Sequence, residues 1–456
     1  MDGYLPISET YILHYALGFP PYRSGGMTKY CVDLMKKQIE EGFRVGLMWP
    51  GEIKFLYKKT YFRRKKWHYA IDSYEVVNPL PVPLDEGVQD CALFVKSVDK
   101  GIYSELLKDV NPSIIFIHTL MGLHEELLEA AKDQKIKLIF LTHDYYGLCP
   151  KVTFFRNGAV CENLLDCDEC PKCNASALSY GKIMLMQSKV YRQFKDSSIV
   201  AYARKRHRNR NIDDVLEGTI NASVTNRDYI LLREFYISML EKMDVILFNS
   251  SVSKEVYFKY LTPKKWDIFA ISHLDIRDNR EKKMFGTCLL LSFLSPLKSN
   301  KGFKIIIDAL DKLYSEGCTE FILNVYRDSP IHRDYLRINE PYSHNDLNKI
   351  MKQTDLMLAP SIWYETFGFT VLEAISFGVP VLVSKNVGAK DVIGSNCGWI
   401  IEPCSEALYE ILNRIYHHRD MLLECNENIL KMKRIPGVPM SSLVEKVKSI
   451  EEDIDC

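Results

Sequence analysis

The sequence predicts an α/β protein made of two open parallel-sheet domains that face each other. Three observations carry this reading. Short apolar β-rich runs alternate with amphipathic helical runs along most of the chain, the mark of stacked βαβ units. The alternation occurs twice, with a polar stretch, Asp275 to Lys283, between the two series. Glycines follow a strand in the first series and a strand–loop–helix junction in the second, where an open parallel sheet binds its ligands.

The elements follow in order. Tyr11–Tyr15 reads as the first strand, then a glycine-bearing loop and a helix from about Met27 to Glu41. Arg44–Met48, Ser113–Ile117, Leu138–Leu141 and Asp244–Phe248 are further strands, with a helix around Glu125 to Gln134. In the second series Cys288–Leu294, Phe321–Tyr326, Leu356–Leu358 and Val381–Val383 are strands, with helices from about Lys301 and from near Phe369. A last helix, about Ser441 to Asp453, carries Leu443, Val444, Val447 and Ile450 on one side and should dock on a domain.

Length and composition agree. At roughly 150 residues per domain, 456 residues suggest two large domains. The chain is 47% hydrophobic and 26% charged, which excludes a disordered or supercharged protein. Its 59 basic and 59 acidic residues cancel, against a dedicated nucleic-acid binder. Met1-Asp2-Gly3-Tyr4 does not read as a signal peptide, and no apolar run reaches the roughly 20 residues that span a bilayer. A cytoplasmic location is expected, with the 13 cysteines mostly reduced or ligating metal.

Two segments carry candidate chemistry. Ser24-Gly25-Gly26 lies between the first strand and its helix, where paired glycines permit close backbone approach and the helix N-terminus offers N–H groups to an anion. It is neither G-x-G-x-x-G nor a P-loop, which disfavours dinucleotide binding and P-loop ATP hydrolysis. In the second series, Glu365 precedes a helix and Glu373 lies inside it, within an apolar run that makes an unpaired acid expensive to bury. Glu373 therefore faces a cleft and a hydroxyl-bearing ligand, with the N–H groups of Phe367, Gly368 and Phe369 aimed the same way. The alternative is that both acids merely complement the helix dipole.

With these residues the sequence strongly resembles a retaining family 4 glycosyltransferase of the GT-B fold. The matching stretches are Pro21-Tyr22-Arg23-Ser24-Gly25-Gly26, Thr142-His143-Asp144, Asn300-Lys301-Gly302-Phe303 and Glu365 through Glu373, and Glu-x7-Glu followed by Gly378-Val379-Pro380 is the most specific. The resemblance implies a hexosyltransferase-like enzyme whose nucleotide-sugar donor gives up its sugar with retention. Residues 1–275 would form an acceptor-side domain, 276–440 the nucleotide-sugar domain, and 441–456 a helix returning to the first. It gives Glu365 the donor-sugar hydroxyls, Glu373 the ribose, and Lys301 the pyrophosphate. Phe367, Gly368, Phe369 and Thr370 would line the donor pocket, Gly25 and Gly26 would lie near the phosphates and acceptor, and His143 near the reacting sugar. Family members are thought to attack on the face the leaving group vacates, so no cofactor is required for catalysis. No paired Asp-x-Asp suggests a catalytic divalent ion.

One departure matters. Where the family carries an Arg that partners the Lys, this chain has Pro296, which has no side-chain donor. Lys298 or Arg327 would have to supply the missing charge. Asp391 stands where a Glu is usual.

Cys149, Cys161, Cys167, Cys170 and Cys173 form C-x11-C-x5-C-x2-C-x2-C, in an insert of about 145–175 that resembles one found in a subset of such transferases. The spacing admits a structural zinc ion on four of the five, reduced thiols, or a disulfide pair. Lys58 to Trp67 and Arg204 to Arg210 are basic runs, suited either to an anionic membrane surface near a lipid-linked acceptor or to solvated loops.

The first functional reading is therefore a transferase that extends a glycan or lipid-linked saccharide in bacterial surface or capsular polysaccharide biosynthesis, peripheral to the inner face of the membrane. A non-catalytic nucleotide-sugar sensor or degenerate partner subunit is the second. A phosphorylase-like or nucleotide-sugar-hydrolysing enzyme is the third.

Overall fold

The structure, a computed structural model, describes residues 10–20, 22–23, 25–66, 71–162, 166–195, 197, 224–394, 396–435, 443 and 445. The first domain holds β1 (Tyr11–Tyr15), β2 (Arg44–Pro50), β3 (Tyr61–Lys66), β4 (Asp72–Val77), β5 (Ile114–Ile117), β6 (Lys137–Leu141), β7 (Phe155–Arg156), β8 (Ala159–Val160), β9 (Val245–Phe248) and β10 (Trp266–Ile268). Eight of these form one sheet in the order β10-β9-β6-β5-β1-β2-β4-β3. All neighbours are parallel except the edge pair β3 and β4. β7 and β8 make a separate hairpin inside the cysteine-rich insert.

The second domain holds β11 (Leu289–Phe293), β12 (Phe321–Val325), β13 (Leu336–Ile338), β14 (Leu356–Ala359), β15 (Val381–Ser384) and β16 (Gly398–Ile401), ordered β13-β12-β11-β14-β15-β16 and parallel throughout. In each sheet the chain reverses its direction of winding at one place, between β1 and β5 in the first and between β11 and β14 in the second. Strand ends diverge there and leave a crevice for ligand.

Central strands form because they are apolar on both faces, as parallel strands between helix layers must be. Ile114–Ile117 is fully buried, and along β1 Tyr11, Leu13 and Tyr15 enter one core while Ile12 enters another. That second core continues through the domain junction, joining Ala16, Phe19 and Trp49 to Phe367, Val371 and Val387. After Ile276 the connector is fastened to the second domain: Asn279 N–H donates to the Ser376 carbonyl at 2.9 Å and Lys283 N–H to Asn426 Oδ1 at 3.1 Å. Of the expected C-terminal helix only Leu443 and Glu445 are described, and Leu443 is buried in the junction core; Val444, Val447 and Ile450 lie outside the described residues. Pro21, Ser24, Trp67 and the run Arg204 to Arg210 also lie outside them.

Sequence periodicity missed the edges. Residues 61–66 of the first basic run are a strand and not a loop, antiparallel to β4, and the alternation of the pleat turns Arg63 and Lys65 onto one side. There Glu75, fully buried, receives Arg63 at 3.1 Å, Lys65 at 3.2 Å and Arg192 at 2.7 Å. Arg192 also lies over the rings of Tyr22 and Trp49, at 4.5 and 4.8 Å from their centroids. Part of this basic run thus serves an internal charge. Among the described residues no helix is long and apolar enough to cross a membrane.

Burial alone would raise the Glu75 carboxyl, but Arg192, Lys65 and Arg63 together hold it below the ordinary carboxylate range. A depressed folded-state value stabilises at neutral pH, and that stability is lost as pH falls through the carboxylate range. Glu75→Gln should cost about 1.5 kcal/mol at pH 7, the low end for hydrogen bonds to charged groups because the cations stay partly in water. Urea midpoints for both proteins across pH 3 to 7 should converge toward the acid end; a gap independent of pH would contradict the ion-pair account.

Candidate active site

The crevice at the β11/β14 reversal is built from two loops drawn backbone to backbone. Ser299–Lys301 makes a single 3-10 turn that ends in Gly302 at φ 81°. A Cβ on Gly302 would stand 2.0 Å from the Pro360 carbonyl oxygen, so only glycine lets the loops approach this closely. The Asn300 carbonyl accepts from Ile362 N–H at 2.9 Å, which ties the loop after β11 to the one after β14.

That closeness puts Lys301 Nζ 2.6 Å from Glu365 Oε1 and 4.8 Å from the centroid of the Trp363 ring. Ser361 Oγ donates to Glu365 Oε2 at 2.5 Å. The Glu365 backbone is pinned on both sides, its N–H donating to Asn386 O and its carbonyl accepting from Gly388 N–H, both at 2.9 Å. The lysine and the acid sit at 16% and 17% exposure, so each is within reach of a ligand yet shielded enough to need the other. Buried polar atoms usually have partners, but Asn300 Oδ1, Trp363 Nε1 and Arg327 Nε have none among the described residues.

Gly368 starts the Phe369–Ser376 helix at φ 102°, where a Cβ would come 3.0 Å from Val387 Cγ1. Phe367 is buried, and Phe369 and Thr370 are half-buried in the first turn. Glu373, one turn further on, has a different set of neighbours from Glu365. Its Oε1 lies 3.5 Å from His273 Nε2 and 3.8 Å from His344 Nδ1. It borders a cavity of about 390 Å³ lined also by Asp275, Arg277, Asn279 and Phe377. Tyr342 feels both Glu373 and Arg327, and its hydroxyl is pushed up to about 12 by burial first and by Glu373 next.

The two cations suggested as substitutes for the family arginine are placed differently. Lys298 reaches across to the first domain, 3.6 Å from Asp85, with both side chains substantially exposed. Arg327 lies on the Tyr342 side. Asp391 crosses the junction too: its Oδ1 accepts from Ser251 Oγ at 2.6 Å, and its Oδ2 accepts from the Ser251 N–H at the start of the Ser251–Tyr257 helix.

On the first-domain side, Gly25 (φ 116°) precedes the Gly26–Glu40 helix and has open space around it. Gly26 meets the second domain directly, since a Cβ there would lie 3.2 Å from the Phe369 ring. His143 stands just beyond β6 and Asp144 beside it; burial raises the Asp144 carboxyl to about 6, against hydrogen bonds from Tyr146 N–H and the Thr119 hydroxyl. Thr366 links the halves: its Oγ1 donates to the His143 carbonyl at 3.0 Å, and its own carbonyl accepts from Ser250 Oγ at 2.6 Å.

Sequence reasoning missed the partners of His143. His143 Nε2 lies 3.1 Å from His118 Nδ1, His118 Nε2 lies 2.9 Å from His14 Nδ1, and His14 Nε2 lies 2.7 Å from Gln38 Oε1. His118 follows β5 much as His143 follows β6, the one signal that could have found it; His14 sits inside an apolar strand and Gln38 in the charged run Lys36-Lys37-Gln38-Ile39-Glu40, and neither shows one. His273, His344 and Ser361 were missed for want of any motif.

Four of the five clustered cysteines, Cys149, Cys161, Cys170 and Cys173, line one small cavity of about 30 Å³ together with Arg233 and Phe154. Cys167, 1% exposed and at φ 55°, is not part of that lining, but its thiol is in hydrogen-bond contact with that of Cys170. The N–H groups of Phe154 and Lys151 point at the Cys149 sulfur. No disulfide joins cysteines among the described residues.

Comparison with known proteins agrees with this architecture. Residues 338–432, which include Glu365 and Glu373, match the family described as Glycosyl transferases group 1. Sucrose-phosphate synthase 4 of Arabidopsis thaliana is 23% identical over 188 residues, 39% of this chain but 17% of that protein's length. The sucrose-phosphate synthase of Thermosynechococcus elongatus superposes with a TM-score of 0.55 at 10% identity, covering 98% of this chain and 99% of that one. Anabaena Alr3699/HepE, solved in complex with UDP and glucose, gives 0.53 at 13% identity over 96% and 99%. The fold is GT-B, with two Rossmann-like domains across a cleft.

Proposed function

We propose that this protein is a retaining glycosyltransferase that moves a sugar from a nucleotide-sugar donor to a hydroxyl of a glycan or lipid-linked saccharide in polysaccharide biosynthesis. The observation that carries the reading is the Lys301–Glu365 pair at the β11/β14 crevice, tied through Thr366 to His143. A diphosphate arriving at Lys301 takes the ammonium from Glu365, and the freed carboxylate turns to the sugar hydroxyls. Lys301 then stabilises the charge that grows on the departing nucleoside diphosphate, whose phosphate oxygen takes the acceptor proton. Glu373 and its cavity receive the ribose. The scheme assigns charge neutralisation to Lys301 and needs no cofactor. It fits work in the cytoplasm, at the inner face of the membrane when the acceptor is lipid-linked. The solved likeness holding UDP and glucose supports this class of donor.

A second reading, a nucleotide-sugar-binding partner without transfer, is favoured by Pro296 and by the engagement of Lys298 with Asp85. Calorimetry with nucleoside diphosphates and nucleotide sugars, followed by a transfer assay with the tightest donor, decides between them. Lys301→Ala should weaken nucleoside diphosphate binding about 10- to 100-fold, as losing a charged hydrogen bond does. Glu365→Ala should abolish turnover and change nucleoside diphosphate affinity much less. Unchanged affinity in Lys301→Ala would end the reading; tight donor binding without transfer to any acceptor would establish the second.

For the insert we propose a structural zinc ion on Cys149, Cys161, Cys170 and Cys173. The shared cavity and the N–H groups aimed at Cys149 support it. Among the described residues no three of these sulfurs lie within 4.8 Å of one another, so the ion would draw the four inward. Elemental analysis of protein purified under reducing conditions should give one zinc per chain. Cys173→Ser should lose it and Cys167→Ser keep it. Zinc-free wild type, or loss in Cys167→Ser alone, would refute this ligand set.

A further inference from the structure

The row of rings behind His143 has a directional logic. Every nitrogen between Gln38 and His143 faces another hydrogen-bonding atom at 2.7 to 3.1 Å, and His14, His118 and Gln38 are all fully buried. A neutral imidazole has one donor and one acceptor nitrogen. Once one bond in the row has its direction, all the others follow. Gln38 supplies that direction, because its Oε1 only accepts. His14 must then carry its proton on Nε2 and leave Nδ1 bare. His118 in turn donates from Nε2, and its bare Nδ1 requires a proton on His143 Nε2. The last atom, His143 Nδ1, is left as a lone pair and has no partner among the described residues.

We propose that Gln38, His14 and His118 are positioning residues that hold His143 in a single tautomer, with a bare Nδ1 available to accept a hydrogen bond from a sugar hydroxyl in the cleft. The substrate class rests on the glycosyl-transfer reading; the tautomer does not.

Two further observations support it. Burial keeps all three rings neutral: His14 is lowered to about 4, His143 to about 3, and His118 well below its ordinary value, with the neighbouring rings adding to the effect at His118. The Gln38 amide nitrogen has no partner among the described residues; turned over, the amide would orphan Oε1 instead, so the row's direction rests on Oε1 facing His14 Nε2. The groups packed around the row do not ionise against it: Tyr30 lies tilted against His143 with ring centroids 5.2 Å apart, and burial keeps both its hydroxyl and the Cys31 thiol protonated. Cys31, His118 and His143 do bring ligand atoms within 4.8 Å of one another, but both His118 nitrogens are already committed to the row.

The experiment is nitrogen-15 NMR of histidine-labelled protein without substrate, where protonated and bare ring nitrogens give separate resonances. Wild type should show His14, His118 and His143 each protonated on Nε2 alone at pH 7. Protonation of His143 on Nδ1, or a mixture of its tautomers, would overturn the proposal from the wild-type spectrum by itself. In Gln38→Met, which keeps the volume and removes the acceptor, His143 should become a mixture of tautomers while thermal stability changes little. Turnover should then fall about 10- to 100-fold, as when an orienting partner is lost, with a smaller change in donor KM. A Gln38→Met spectrum identical to wild type would also refute the assignment. If nothing is turned over by the wild type while its spectrum shows the single tautomer, the functional reading fails and the row stands.

Discussion

The cleft depends on how Thr366 is held. Its hydroxyl is bonded to the backbone of His143 and its carbonyl to the side chain of Ser250, so one residue of the second domain is gripped at two strand ends of the first. The fit leaves no slack: a Cβ on Gly388 would stand 2.1 Å from the same carbonyl and 2.5 Å from Ser250 Oγ. Glu365 precedes Thr366 and Phe367 follows it. The distance from the acidic group to His143 is therefore set by two hydrogen bonds and the adjoining core, and not by the long connector between the domains. The Asp391 carboxylate at the start of the Ser251–Tyr257 helix and the Gly26–Phe369 contact act at the same junction.

What the sequence made legible follows from how each part is buried. Central strands such as Ile114–Ile117 are apolar on both faces, so composition alone marks them. Edge strands are not. Tyr61–Lys66 looks like a basic loop because its inward residues, Arg63 and Lys65, are cations, and they make sense only beside Glu75. β13 and β16 were overlooked for the related reason that their residues are largely exposed or half-buried.

The site divides in the same way. Lys301, Gly302, Glu365 and Gly368 stand in short contiguous patterns, and the structure brings the first three together through loop contacts that such patterns encode. The hydrogen-bonded row ending at His143 spans 104 residues between His14 and His118 alone, and no local spacing records it. Direction is equally hidden: nothing near Lys298 in the sequence says that it turns to Asp85, on the opposite domain.

The contact between Lys301 and Glu365 has one more consequence. Each of the two side chains neutralises the other. A newcomer that offers only an anion strands the carboxylate, and one that offers only hydroxyls has nothing to give the ammonium. On the proposed function, entry favours a molecule bringing both at once, a two-key lock that a sugar joined to a diphosphate would open.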